Sequence, residues 1–151
     1  MPTLRETSLV KVSVEPGATF LDAARALFEA RISAIAVVGS EGRVVGLFTD
    51  DDLLRGLFPG YLGELRHTAF LHAELDVLTA RLGQVADEPV QRHMRPAMAV
   101  DIDTSAIHVA ERFLHCAWGA LAVVQNGAFV GMVEQVRFVE ALMRRLSLHS
   151  P

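Results

Sequence analysis

The sequence has little of what several protein classes require. It contains a single cysteine, Cys116, so it can form no internal disulfide and fits a reducing compartment. No apolar run reaches the ~18–20 residues of a membrane-spanning helix, and the first residues lack the apolar stretch of a secretory signal. The net charge is −4 and basic residues form no long run, which disfavours a nucleic-acid partner. We therefore expect a cytoplasmic protein with neither a membrane nor a nucleic-acid partner.

Catalytic patterns are also missing. The sequence has no nucleophile elbow, no phosphate-binding glycine loop and no pair of catalytic carboxylates. Cys116 follows His115, but neighbours on a helix do not face each other. His108 and His115 share a predicted helix, and no cysteine or carboxylate completes a metal-ligand set around them. We expect no enzyme activity, no metal site and no required cofactor.

The most informative feature that is present is an internal repeat. Residues 12–55 recur, altered, at residues 98–140, with Ile-Ala-Val-Val at 35–38 returning as Leu-Ala-Val-Val at 121–124. Two further patterns recur: Val45-Gly46 as Val130-Gly131, and the helical stripe Leu21, Ala24, Leu27 and Phe28 as Ile107, Ala110, Phe113 and Leu114. Such self-similarity indicates two copies of one unit that bury their faces against each other. The cleft between two equivalent units is a natural ligand site.

Each copy is predicted to fold as strand, helix, strand, strand, helix. In the first copy, strands are predicted at residues 11–14, 34–38 and 44–48, and helices at 19–30 and 50–58. In the second copy, strands are predicted at residues 97–100, 120–124 and 129–133, and helices at 105–116 and 134–146. The predicted fold class is α/β, with two pseudo-twofold-related β-α-β-β-α repeats.

A helical insert is predicted between the repeats. The first repeat is assigned to residues 1–58, the insert to 59–89 and the second repeat to 90–151, all in one compact module. The insert carries one apolar helical stripe, formed by Leu71, Leu75, Leu78, Leu82 and Val85. A shorter helix is predicted before it, around Leu62, Leu65 and Phe70. Two interpretations fit: a helical hairpin that covers the repeats, or an interface for a second copy or another protein.

One motif carries binding chemistry. Residues 46–52 place Thr49 and Asp52 three apart where a predicted strand enters a helix. Free N–H groups at a helix start attract anions, a threonine hydroxyl can donate to a phosphate or ribose oxygen, and a carboxylate can accept from two ribose hydroxyls. The pattern therefore suits a nucleotide. The same two residues also fit a helix capping box, with aspartate in place of the usual Glu or Gln.

The duplicated pattern resembles the CBS domain, and the pair of repeats resembles a Bateman module. The motifs that carry the resemblance are Ile32-x-x-Ile35-Ala36-Val37-Val38, the turn at Gly42, and Gly46-x-x-Thr49-x-x-Asp52. The resemblance covers both repeats and leaves the insert outside. The sequence departs from the family at Ala36 and Ala122, where proline is common, and at Gly39, where aspartate is common.

The resemblance implies a regulatory module that binds an adenosine-containing ligand (AMP, ADP, ATP or S-adenosylmethionine) between the repeats. Carried over by position, the implied ligand-binding residues are Leu47, Thr49, Asp52, Ala97, Met98, Trp118, Gly119 and Ala120. Trp118, the only tryptophan, is placed to stack on a base, and it fits equally well as a core aromatic that covers a helix end. The resemblance also implies a disc-shaped homodimer that acts on a separate, unidentified regulated protein.

The motif of the second repeat is degenerate. Glu134 stands where threonine is expected and Arg137 where aspartate is expected. Glu134 would repel a phosphate and Arg137 cannot accept from ribose hydroxyls, whereas three apart on a predicted helix they would pair with each other. We therefore expect one adenosyl site. The second site is expected to be closed or to bind something else; its residues are Thr7, Val12, Ile32, Ser33, Glu134 and Arg137.

Two questions stay open at the level of sequence. Arg92, His93 and Arg95 precede the first strand of the second repeat and are candidates to contact a phosphate, but they fit equally well as solvated surface groups. The alternative function is a structural or protein-interaction dimer whose nucleotide sites are vestigial.

Overall fold

The computed structural model describes residues 3–58 and 74–148. Its strands are β1 (Ser13–Val14), β2 (Ala34–Val38), β3 (Val44–Thr49), β4 (Arg95–Pro96), β5 (Ala99–Asp101), β6 (Ala120–Gln125) and β7 (Ala128–Glu134). Its α-helices are α1 (Phe20–Ala30), α2 (Asp50–Leu57), α3 (Glu74–Val85), α4 (Ala106–His115) and α5 (Gln135–Leu148). This order confirms the predicted α/β class with two repeated units. Leu62, Leu65, Phe70 and Leu71 lie outside the described residues.

The strands form two sheets that exchange segments between the repeats. One sheet has the order β1-β2-β3-β4 and the other β5-β6-β7. β4 belongs to the second repeat but pairs antiparallel with β3 of the first, through Gly46 opposite Pro96 and Leu47 opposite Arg95. In return, Val10 of the first repeat pairs with Met132 of β7 in an isolated bridge. The exchange ties the repeats to each other by main-chain hydrogen bonds.

The strand predicted at residues 97–100 differs in the structure, because the chain crosses from one sheet to the other there. A single strand was expected at residues 97–100, but the structure has two short strands, β4 and β5, with residues 97 and 98 between them. β4 belongs to the first sheet and β5 pairs parallel with β6 in the second. The strand is split because the chain leaves one sheet and enters the other at this point.

The repeated glycines mark the same crossing. A Cβ atom on Gly46 would lie 2.9 Å from the carbonyl oxygen of Arg95, and one on Gly131 would lie 2.8 Å from the Cβ atom of Leu9. Neither position has room for a side chain, because a segment of the other repeat pairs closely with the strand there. The Val-Gly pair therefore recurs in the sequence for a packing reason.

The core uses only part of the predicted apolar helix stripes. Leu27 of α1 and Phe113 of α4 are buried. Their neighbours Phe28 and Leu114 stand at equivalent positions in the two repeats and are 64% and 80% exposed. Successive residues on a helix differ by about 100° in direction, so these side chains turn away from the sheet. Both repeats thus leave an apolar residue uncovered at the same place.

The helix α3 is anchored at one end. Val85 is fully buried and Leu82 packs against the larger core, whereas Leu75 is 74% exposed. Arg81 donates from Nε to the carbonyl oxygen of Gly56 in α2 at 2.8 Å. The C-terminal part of the predicted stripe therefore covers the first repeat.

Among the described residues, no helix combines the length and the apolar character that crossing a bilayer requires.

Candidate functional site

The helix α2 begins with a complete capping box. Thr49 ends β3, and its Oγ1 accepts a hydrogen bond from the backbone N–H of Asp52 at 3.1 Å. The Asp52 carboxylate accepts in return from the backbone N–H of Thr49 at 3.0 Å and from the Thr49 hydroxyl at 2.8 Å. Both side chains are buried. The capping interpretation is confirmed. The ligand role of the same residues stays a prediction, and the cap does not contradict it because one carboxylate can accept hydrogen bonds from both a helix end and a ligand.

Arg95 from β4 binds the Asp52 carboxylate with both arms of its guanidinium. Its Nε donates to Oδ2 at 3.1 Å and its Nη2 to Oδ1 at 3.0 Å. This two-point geometry is among the stronger ion pairs in proteins. The Arg95 side chain is 19% exposed, and the hydrogen bond to Asp52 raises the pKa of the guanidinium above its ordinary value. Arg55, on the exposed side, reaches Oδ1 at 3.5 Å.

Trp118 completes this cluster from the second repeat. The guanidinium carbon of Arg95 lies 4.4 Å from the centroid of the Trp118 ring, which is a cation–π contact. The carbonyl oxygen of Trp118 accepts a hydrogen bond from the Ser33 hydroxyl of the first repeat. The buried indole N–H has no hydrogen-bond partner within residues 3–58 and 74–148. Asp52, Arg95 and Trp118 thus form one connected site between the repeats.

The three basic candidates near the second repeat have different surroundings. Only Arg95 reaches the predicted site. Arg92 is exposed, and its Nη1 lies 3.8 Å from Oε2 of Glu88. His93 is mostly buried, with its ring 4.8 Å from that of Phe20. Of the three, Arg95 is therefore the cation available to a ligand beside Asp52.

The other predicted residues of this site lie along the same crossing. The Leu47 side chain is fully buried in the core and its backbone pairs with Arg95. Gly119 adopts a left-handed conformation with φ of 68°, just before the buried Ala120 that opens β6. The remaining two, Ala97 and Met98, occupy the step between β4 and β5; Ala97 is exposed and Met98 half-buried. Leu47 and Ala120 could therefore line a ligand only through their backbone.

Part of the second predicted site lines an open cavity of about 590 Å³. Thr7, Glu134 and Arg137 line it, together with Arg31 and Arg144 and other residues. That this site is closed to a nucleotide or binds something else stays a prediction. Of the other predicted residues, Val12 and Ile32 pack with the core. Ser33 donates to the carbonyl of Trp118 at the first site, as described above.

The predicted ion pair between Glu134 and Arg137 is wrong. Glu134 is the last residue of β7, Arg137 lies in the first turn of α5, and the two described side chains form no ion pair with each other. Arg137 pairs instead with Glu140, one turn further along α5, at 3.2 Å, and Arg144 reaches the same carboxylate at 2.5 Å. Glu140 competes with Glu134 because it stands three residues from Arg137 on the same helix, where side chains are neighbours.

The comparisons with known proteins agree with this geometry. The family model described as the CBS domain matches residues 9–58 and 89–144, one segment in each repeat. No curated protein matches the chain.

Solved structures share the fold at low sequence identity. The CBS domain of a CBS domain-containing membrane protein from Sphaerobacter thermophilus is 23% identical, with a TM-score of 0.67 over 92% of this chain and 84% of that one. The CBS-pair protein CBSX2 from Arabidopsis thaliana is 19% identical, with a TM-score of 0.72 over 96% of each chain. CBSX2 in complex with AMP is 21% identical, with a TM-score of 0.66 over 95% of this chain and 97% of that one.

Proposed function

The chain belongs to the CBS domain family, and from that premise we propose that it is a cytoplasmic regulatory module, without catalytic activity, that binds an adenosine-containing nucleotide in one cleft between its repeats. The observation that carries the proposal is the cluster of Asp52, Arg95 and Trp118. It offers a carboxylate for ribose hydroxyls, a cation for phosphate and an aromatic ring for a base. The related protein CBSX2 has been crystallised with AMP, which supports this ligand class.

The proposed cleft uses the residues that the resemblance implied. They are Leu47, Thr49, Asp52, Ala97, Met98, Trp118, Gly119 and Ala120. We propose a single nucleotide site because the second cavity presents Glu134 where the first has Thr49, and Arg137 where the first has Asp52. Glu134 would repel a phosphate, and a guanidinium cannot accept hydrogen bonds from ribose.

The test is a calorimetric titration with AMP, ADP, ATP and S-adenosylmethionine, followed in parallel by Trp118 fluorescence. We expect saturable binding of at least one ligand with a change in fluorescence. Asp52→Asn should weaken it by about tenfold or more, because a hydrogen bond to a charged group contributes ~1.5–3 kcal/mol. Asp22→Asn is the matched control, since Asp22 occupies the same third helical position behind the Thr19 cap, on α1 and exposed. The control should keep the affinity of the native chain.

A second candidate function is a protein-interaction module whose nucleotide site is vestigial. The exposed apolar residues Leu75 and Val77 on α3 favour it, since they are uncovered by the described part of the chain. A flat calorimetric trace with all four ligands at millimolar concentration would contradict the nucleotide proposal and leave this one.

We also propose that two copies of the chain associate through their exposed helix faces. The repeats present apolar residues at equivalent exposed positions: Phe28 with Leu114, and Leu54 with Val139, the last two being 54% and 45% exposed. These exposed side chains contribute little to the core of a single chain. Apolar residues that recur at equivalent exposed positions of both repeats are instead typical of an interface between two copies. A homodimer of four repeats would bury all of them.

The oligomeric state is testable by sedimentation velocity on point variants. We expect the native chain to sediment as a dimer and Leu114→Asp to sediment as a monomer, because a carboxylate would be buried without a partner in the interface. Leu75→Asp introduces the same charge on α3 and should leave the dimer intact. Dissociation by Leu75→Asp alone would place the interface on α3 instead.

A further inference from the structure

We infer that Arg95 determines ligand specificity in the proposed cleft: it blocks Asp52 against uncharged nucleosides and releases it to ligands that bring a phosphate. The inference rests on the proposed nucleotide site and adds to it a selection rule. The rule follows from three observations: the hydrogen bonds that Asp52 already receives, the surroundings of the guanidinium, and its position over Trp118.

The Asp52 carboxylate has little capacity left for a ribose. Its Oδ2 accepts from the backbone N–H and the hydroxyl of Thr49 and from Nε of Arg95. Its Oδ1 accepts from Nη2 of Arg95 and has Arg55 at 3.5 Å. A carboxylate offers about four acceptor positions, and the two toward Arg95 are those not fixed by the helix cap. A ribose that donates two hydroxyl hydrogen bonds to Asp52 must therefore displace Arg95.

Displacement of Arg95 requires a replacement anion. The Arg95 side chain is 19% exposed, so a guanidinium that stays there without the two hydrogen bonds from Asp52 is left with unpaired donors and is unfavourable. The nearby carboxylates of Asp50 and Asp51 also attract it and raise its pKa, so it stays charged. Adenosine brings no anion, whereas the phosphate of AMP can accept two parallel hydrogen bonds from the guanidinium, as the carboxylate does. The phosphate itself needs this cation, because three consecutive aspartates would otherwise repel it.

The displacement of Arg95 from Asp52 also changes the surroundings of the Trp118 ring. The Arg95 guanidinium lies over the ring at 4.4 Å, where it covers the face that a base would stack on. When Arg95 turns to a phosphate it uncovers that face. An adenosine ligand with a phosphate can therefore contact both Asp52 and Trp118, because its phosphate binds the displaced Arg95. A nucleoside without a phosphate must displace the guanidinium from both residues and offers it no new anion.

The experiment compares AMP and adenosine by calorimetry on the native chain, Arg95→Met and Arg43→Met. Arg43 is an exposed arginine next to the turn at the far end of the β2–β3 hairpin from Thr49, which makes it a matched control. For the native chain and Arg43→Met we expect AMP to bind at least about 30-fold more tightly than adenosine. In Arg95→Met the ratio should fall to about threefold or less, with adenosine binding about tenfold more tightly than to the native chain.

A ratio in Arg95→Met that equals the native ratio would overturn the inference, as would weaker adenosine binding in that variant. Arg95→Lys provides a second variant that keeps the charge but not the two-point geometry, and its ratio should lie between the other two. If neither ligand binds the native chain but adenosine binds Arg95→Met, the block by Arg95 is supported while the proposed function of the native chain fails. If neither ligand binds any variant, both are overturned.

Discussion

Replacing Phe20 with alanine is expected to lower the free energy of unfolding by ~3–5 kcal/mol, the usual range for a large aromatic in a core. Phe20 is fully buried and packs edge-on against Phe48, with ring centroids 5.6 Å apart, and against His93 at 4.8 Å. The backbone of Gly56 in α2 packs against the same ring, since a Cβ there would lie 2.6 Å from it. The ring thus joins α1, α2, β3 and the segment that leads into β4.

The measurement is urea unfolding followed by Trp118 fluorescence. Phe20→Leu is the control, because it keeps most of the volume and loses chiefly the aromatic contacts, so we expect a loss of about 1–2 kcal/mol. A loss below about 1 kcal/mol in the alanine variant would show that the surrounding helices collapse into the cavity. Such a collapse would contradict the role of Phe20 as a rigid joint between the elements.

Local features of this fold could be predicted from the sequence because neighbouring residues determine them. Thr19 and Thr49 cap their helices as expected, each accepting from the backbone N–H three residues on. Asn126 and Gly127 adopt the left-handed conformation that their hairpin turn requires, with φ of 53° and 81°. The duplication then places the second repeat by analogy with the first.

The central contact of the site could not be predicted from the sequence in the same way. Arg95 and Asp52 are 43 residues apart and meet only because β4 leaves its own repeat and pairs with β3. The sequence marks Arg95 as a candidate cation, but the position of Arg95 over Trp118 depends on that crossing. A tertiary arrangement of this kind leaves no periodic pattern in the sequence. The sequence does not predict the exposure of Phe28 and Leu114 for a related reason, since a helical stripe does not reveal how much of its width the core covers.

Gly46→Ala is expected to destabilise the protein by ~1–2 kcal/mol net, although alanine usually stabilises an extended strand. Removing a glycine alone should contribute a gain of ~0.5–1 kcal/mol. The new Cβ, however, would meet Sδ of Met94 most closely, and it would lie 2.9 Å from the carbonyl oxygen of Arg95 and from Cγ of Met94. The Met94 side chain can move, but the carbonyl belongs to β4 and is fixed by pairing with β3. The clash must therefore be relieved by shifting β4, and overpacking of this kind costs ~1–3 kcal/mol or more.

The pairing of β4 with β3 is tested by whether Gly46→Ala lowers or raises the free energy of unfolding. Gly83→Ala on α3 makes the same chemical change where nothing lies within 4 Å of the new Cβ, so it should stabilise the protein by ~0.5–1 kcal/mol. Urea unfolding of the two variants should thus give opposite shifts. Because β4 carries Arg95, Gly46→Ala should also disturb the Asp52 pair and reduce the preference for AMP over adenosine, whereas Gly83→Ala should not. A neutral or stabilising Gly46→Ala would mean that β4 does not pair closely with β3 at Gly46, and the geometry of the whole cluster would fail with it.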